Sequence, residues 1–384
     1  MFSDRLVTHI HRETNIDGNS CLPKPVAAIS LAPGRPTNLS AIPPEIFDVC
    51  TATQGSKAVV EVRKGGICDD KNGTWVALEI VGAYSTVSTA FSIDGLPMWL
   101  YAVDGEYIEP QLVQAVSVTN GDRYSVLVHV TEVGDYTIRH ASTLPIQLLA
   151  GQATLSYRHT GQQVPANKTA PTPYINDGGR AVTPDVKFFN QTLQKAYPPA
   201  PVAQKADKTY ILDLGITTKS YWWALNRTSR PLALEGGFPV LFKPDANASN
   251  NVTITTQNNT WIDLIFTVTQ FPQPSHPIHK HGNKMWLIGS GQGAFKWASV
   301  EAAMAEIPGN FNLVNPPRRD GFQTLGAGKG PTWTAVRYHV TNPGAWLMHC
   351  HIQTHMVGGM SMVIQDGIDK WPKVPKEYLD YGAK

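Results

Sequence analysis

Residues 123–140, RYSVLVHVTEVGDYTIRH, are two runs rich in β-branched and aromatic residues, separated by a Gly-Asp break. Such runs fit a pleated, half-buried surface, and the break fits the turn between strands. The pattern continues on both sides, in KAVVEV, WVALEIV, AFSID, MWLYAVDG and AVSV before it and in QATLSY after it. Short strands at this spacing read as a β-sandwich or barrel. Over residues 161–206 the runs stop, and Pro165, Pro171, Pro173, Pro184, Pro198, Pro199 and Pro201 stand among polar residues. That composition reads as a linker. Strand-like runs resume with TYILDLGI, NVTITTQ, WIDLIFTVTQ, MWLIGSG, WTAVRYHV, AWLMHCH and GGMSMVIQDG. The expected fold is therefore all-β, with two sandwich domains in tandem. An irregular segment covers 1–40, a first β-domain 41–160, the linker 161–206, a second β-domain 207–370 and a tail 371–384. FKWASVEAAMAEIP, in the second domain, is the one helical candidate.

Composition agrees with a folded chain: 384 residues, 42% apolar and 16% charged. A net charge of +2 gives no reason to expect nucleic acid or an anionic membrane as partner. No apolar run is long enough to cross a bilayer, and MFSDRLVTHIHRETNIDG lacks the apolar core of a signal peptide. Eight Asn-x-Ser/Thr sequons nevertheless occur, at Asn38, Asn72, Asn167, Asn190, Asn226, Asn247, Asn251 and Asn258. Chance would give roughly three, so the excess points to the secretory route, extracellular or cell wall. Apart from Cys350, the cysteines Cys21, Cys50 and Cys68 allow one disulfide and leave one thiol.

The densest chemistry is HCHIQTHMVGGM, His349 to Met360. In a strand, successive side chains point to opposite faces, so His349 and His351 share one face and Cys350 takes the other. One strand end can then serve two metal sites. A blue copper site needs two His, a Cys thiolate and a weak axial Met. His355 and Met360 follow Cys350 closely, with Gly358 and Gly359 freeing the loop to fold back. The second His comes from SHPIHKHGN, Ser275 to Asn283. There Pro277 sets His276 apart, and His276 is assigned to the Cys350 copper. His279 and His281 share a face and join His349 and His351 in an all-imidazole cluster suited to copper chemistry on dioxygen. Alone, Cys350 would read as a buried inert thiol and each His as a hydrogen-bonded polar residue. The coincidence of both motifs with Met360 outweighs that reading. His129, His140, His159 and His339 stand alone in strand patterns and read as structural.

These motifs resemble the multicopper oxidases, and specifically the laccase-like enzymes of ascomycete fungi. PPEIFDVCTATQGSKAVVEV, AFSIDGLPMWLYAVDGEYIEPQ, VTNGDRYSVLV and GDYTIRHAS resemble the family's middle cupredoxin domain. SHPIHKHG, FNLVNPPRRDG, GPTWTAVRYHV and NPGAWLMHCHIQTH resemble its last. The resemblance implies Greek-key cupredoxin sandwiches, without copper ligands in the first and copper-binding in the second. It implies His276, Cys350 and His355 on a type 1 copper with Met360 axial. It also implies His279 on the type 2 copper and His281, His349 and His351 on the type 3 pair. His355 or His276, at the type 1 edge, would be the electron entry point, with Cys350 leading to the cluster.

Such enzymes oxidise phenolic donors one electron at a time and reduce dioxygen to water, in ascomycetes often within pigment or polyketide metabolism. Their first domain supplies four further imidazoles. Here only half the cluster's ligands are expected, the rest coming from a missing domain or a partner chain, and His9 and His11 are read as surface residues. Basidiomycete-type laccases bind the phenol through an acidic residue shortly before the block matching FSIDG, and GAYSTVSTA has none. Two alternatives are a ferroxidase and a truncated chain, inactive or carrying one copper as an electron carrier. An axial Met, favouring easily oxidised donors, ranks the ferroxidase lower.

Overall fold

Strand formation follows the alternation in the sequence. In Arg123–Val130 the side chains of Tyr124, Val126, Val128 and Val130 are buried, while Arg123, Leu127 and His129 face outward. The computed structural model describes residues 59–64, 69–70, 72–84, 88–143, 150–159, 171–217, 222–234, 238–248 and 250–382, and the strands Asn19–Ser20 and Thr51–Ala52. The expectations for His9 and His11, for Cys21, Cys50 and Cys68, and for the sequons at Asn38 and Asn167 lie outside the described residues. So do most of 1–40 and the first part of the proline-rich segment. The chain divides into two compact units, one reaching Gln194 and one starting at Lys195.

The first unit holds two five-stranded sheets. One runs Asp69–Asp70, Gly73–Val81, Arg123–Val130, Met98–Val103, Glu106–Val113; the other runs Val59–Lys64, Ala150–His159, Gly134–Ser142, Thr89–Ile93, Ala115–Val118. Their inner faces pack Leu78, Ile93, Leu100, Val126, Ile138, Leu155 and Tyr157 into one core. Each such apolar side chain contributes about 1.5–3 kcal/mol on burial. Glu106–Val113, EYIEPQLV, is a strand that the residue runs did not reveal. It lies at a sheet edge, where Pro110 sacrifices no internal ladder bond.

From residue 171 onward, the proline-rich segment is packed chain. Ile175 and Phe188 lie with Ala90 and Ala115, and Phe189 donates its N–H to the Ala115 carbonyl. Within the second unit, Val202 packs on Ile265, Ile288 and Trp333. The Ala200 and Ala203 carbonyls accept from the Trp286 indole and from Arg337. A segment with few N–H donors still offers carbonyls, and buried donors use them.

The second unit sandwiches a six-stranded sheet on a five-stranded one. The first orders Trp223–Ala224, Lys208–Ile216, Trp261–Val268, Thr332–His339, Met285–Gln292 and Arg318–Arg319. The second orders Thr253–Thr255, Ser361–Asp366, Gly344–Cys350, Pro277–Lys280 and Gly321–Gln323. Between them Leu212, Leu264, Phe266, Ile278, Met348 and Cys350 form the core. The expected helix is Val300–Glu306, with the Ser299 hydroxyl capping Ala302. It is not alone, which corrects the expectation of a single helical segment. Gln353–Val357 and Lys376–Gly382 are helical as well. The five residues of Gln353–Val357 are too few to show an apolar period.

Candidate copper site

Two strands carry the histidines. Pro277–Lys280 pairs antiparallel with Gly344–Cys350, with His279 opposite His349 and Ile278 opposite Cys350. The pairing continues past the strand ends, since His281 donates its N–H to the Leu347 carbonyl and His351 to the Pro277 carbonyl. Register therefore puts the two His-x-His motifs side by side on one face. Ring centroids of His279 and His281 are 4.9 Å apart, of His281 and His349 5.4 Å, and of His349 and His351 5.2 Å.

On the other face, Cys350 Sγ lies 3.9 Å from His276 Nδ1 and 3.7 Å from His355 Nδ1. Ligand atoms of these three buried residues all fall within 4.8 Å of one another. The chain beyond the strand folds back: Cys350 donates its N–H to the Met360 carbonyl, and Met360 to that of His355. Met360 is fully buried beside this group. His355 sits on the helix Gln353–Val357, where the sequence suggested only a glycine-freed loop.

Neighbouring groups fix which ring nitrogen is free. Gln273 Oε1 can only accept, so His276 Nε2, 3.1 Å away, carries the hydrogen and Nδ1 presents its lone pair towards Cys350. Likewise, His279 Nδ1 donates to the Asp320 carbonyl and His349 Nδ1 to the Cys350 carbonyl, freeing both Nε2 atoms. His281 Nε2 and His349 Nε2 face each other at 3.3 Å. Burial pushes His276 down to about 3 and is the main cause holding His349 down to about 4. It also holds His355 well below the usual imidazole value, helped by the charge of His276. All three are thus neutral imidazoles at physiological pH, the form that can ligate a metal. Burial pushes the Cys350 thiol up to about 12, so its thiolate needs a bound cation. Two neutral imidazoles, a thiol and a thioether, buried together, fit a soft copper site.

Two models described as multicopper oxidase match residues 59–161 and 227–370, together well over half the chain. The chain belongs to the multicopper oxidase family. Copper is the cofactor of this family, and the donor set is chemically right for it. This multicopper oxidase chain is 38% identical over 358 residues to multicopper oxidase elcG of Phaeosphaeria nodorum, covering 90% of this chain and 55% of that protein. To laccase abr2 of Aspergillus fumigatus it is 37% identical over 342 residues, covering 87% and 56%. It therefore spans little more than half the length of these relatives. The laccase of Botrytis aclada shares the fold, with a TM-score of 0.65 at 20% identity, over 90% of this chain and 59% of that one.

Burial separates the two rings named as alternatives for the electron entry point. His276 is fully buried and offers no edge to a donor, whereas His355 retains 9% exposure. His276 is tied inward by Thr324, whose hydroxyl accepts from the His276 N–H and whose own N–H donates to the His276 carbonyl. Three contributors were not read from the sequence. Gln273 orients His276, the Asp320 carbonyl orients His279, and Trp223 stacks on His355 with centroids 3.7 Å apart. A backbone carbonyl leaves no mark in a sequence, and Trp223 is remote from His355 along the chain. The isolated histidines of the described region pack as ring partners: His129 on Trp75, His140 on Tyr84 and His339 on Trp261.

Proposed function

We propose that the chain is the type 1 copper half of a laccase-like oxidase, coupling one-electron oxidation of phenolic donors to reduction of dioxygen to water. The observation that carries this reading is the convergence of His276, Cys350 and His355, with Met360, on one strand end whose other face carries His349 and His351. Bound copper supplies the one-electron chemistry, four donor electrons and four protons converting one dioxygen to two waters. Cys350 links the two ligand sets covalently, being flanked in the backbone by His349 and His351. His355 is the edge nearest solvent. Next to it in the chain, Met356 and Val357 are 36% and 54% exposed, an apolar rim that suits an aromatic ring. A hydrated ferrous ion would need oxygen ligands instead, which favours the phenol over the ferroxidase reading.

His279, His281, His349 and His351 are assigned to the dioxygen-reducing cluster, with further imidazoles supplied from outside the described residues, by another domain or a partner chain. Pigment or polyketide metabolism fits the electron-rich donors that an axial Met favours. Export through the secretory route agrees with the sequon count. Copper per chain, the visible and spin-resonance spectra, and oxygen uptake with a dihydroxynaphthalene and with ferrous iron test the proposal together. A blue band with phenol-dependent oxygen uptake is expected. Colourless protein would overturn the site, and faster uptake with iron would overturn the donor class. A blue band with one copper and no uptake would leave this chain an electron carrier.

A further inference from the structure

The chain that delivers His355 and Met360 closes on itself through backbone bonds from Met360 to His355 and from Cys350 to Met360. Its helix, Gln353–Val357, has five residues and no side-chain cap at its start, and a helix this short is unstable alone. Two glycines follow it. A remote segment adds a second constraint. Trp223 donates its N–H to the Gly358 carbonyl and Arg230 donates to the Gly359 carbonyl, each at 2.9 Å. Gly359 has φ +101°, and a Cβ there would lie 2.8 Å from the Ser229 side chain and 2.9 Å from the Arg230 backbone. Residues 223–230 therefore cross the ligand loop too closely for any side chain at 359. The buried Trp223 indole stacks face to face on the His355 ring, at 20° between planes, and meets His276 edge-on at 5.5 Å.

This segment is itself anchored. Trp223 and Ala224 pair with Ile216 and Gly215 of the six-stranded sheet, and Thr217 bonds back to the Trp222 carbonyl. The Ser229 and Thr217 hydroxyls are 3.2 Å apart. We propose that residues 223–230 are a strap that presets the ligand loop, with Trp223 the positioning residue that holds the His355 ring in its ligating orientation before metal arrives. This rests on reading His276, Cys350 and His355 as the type 1 site. With the strap in place, the ring cannot turn about its side-chain bonds without displacing the indole, and Gly358 and Gly359 cannot swing outward without losing both backbone bonds. A stacked pair of this kind biases the held orientation by up to about tenfold.

The test compares wild type with Trp223→Phe and Trp223→Leu. In copper-free protein, labelling of Cys350 by a disulfide reagent, read on its own peptide by mass spectrometry, should run about tenfold faster in Trp223→Leu and close to wild type in Trp223→Phe. After copper is added, Trp223→Leu should shift the blue absorption band and the copper hyperfine splitting, and Trp223→Phe should largely restore both. Equal labelling and identical spectra in a folded Trp223→Leu protein would overturn the strap. Should that variant not fold, hydrogen exchange on wild type decides. The Trp223 and Arg230 amides should be at least tenfold protected in copper-free protein, and free exchange there also overturns the strap. Failure of wild type to bind copper would remove the type 1 reading, while labelling and exchange in copper-free protein still judge the strap.

Discussion

At the scale of single residues, the candidate site depends on which nitrogen of each ring carries its hydrogen. Gln273 settles this for His276, and its own Oε1 has no alternative role as donor. Replacing it with Leu removes the acceptor, lets the ring adopt either tautomer and strands a buried N–H. Copper affinity should then fall about 10- to 100-fold, as for other orienting partners of ligands. Competition with a copper chelator measures this, and an unchanged affinity would show that His276 is held by packing alone. Burial also makes the histidines sensitive to acid. Above about pH 6.5 the imidazoles are neutral whether folded or unfolded. As pH drops further, the unfolded chain takes up protons that buried His276 refuses down to about 3 and His349 down to about 4. Stability is thus complete above the unfolded value and lost towards these lower ones, at up to about 1.4 kcal/mol per pH unit for each histidine. The urea midpoint of copper-free protein should fall between pH 6.5 and 4.5, and a flat profile would contradict the burial. The candidate donors were legible in the sequence because few residue types can bind copper. Gln273 and Trp223 were not, because glutamine and tryptophan acquire these roles only from what folding sets beside them.

Among the elements, the strand carrying His279 and His281 is secured from its opposite face. Between them Lys280 is buried, with Nζ 2.6 Å from Asp366 Oδ2 and 3.0 Å from the His281 carbonyl. Asp366 also accepts from Thr256, Asn283 and Tyr338. Burial is the main cause lowering the Lys280 ammonium, and the Asp366 carboxylate opposes it. Asp366→Ala would leave a cation without its partner in the core, at a cost of about 3–5 kcal/mol. Equilibrium urea unfolding should show that loss, together with weaker binding of copper by the histidines flanking Lys280. A loss below about 1 kcal/mol would mean that Lys280 finds water or another partner. Alternation puts Lys280 on the face of Ile278, two residues away, without naming its partner across the sheet. Alternation fixes which face a side chain takes and is silent about which distant strand supplies the neighbour. Length explains why the helix Gln353–Val357 escaped notice, since five residues do not span a repeat of the apolar pattern.

For the whole molecule, the two ligand groups meet only because one strand has two faces, and that connection is open to test. His349 and His351 stand among the four imidazoles, while Cys350 points to His276 and His355. On the proposed function, a phenol at the His355 edge would have a short covalent route to the imidazole group through Cys350. Cys350→Ser preserves shape and burial but removes the soft thiolate. The blue band should vanish, and the spectrum of copper held by the four imidazoles should persist, since none of those rings bonds to the thiol. Reduction of that remaining copper by a dihydroxynaphthalene, followed by stopped-flow spin resonance, should slow at least about 100-fold, as through-space transfer replaces a continuous bonded path. If reduction proceeds at the wild-type rate while the blue band is absent, donors reach the imidazole group directly. The HCH strand would then be a shared scaffold for two independent sites and not the conductor between them.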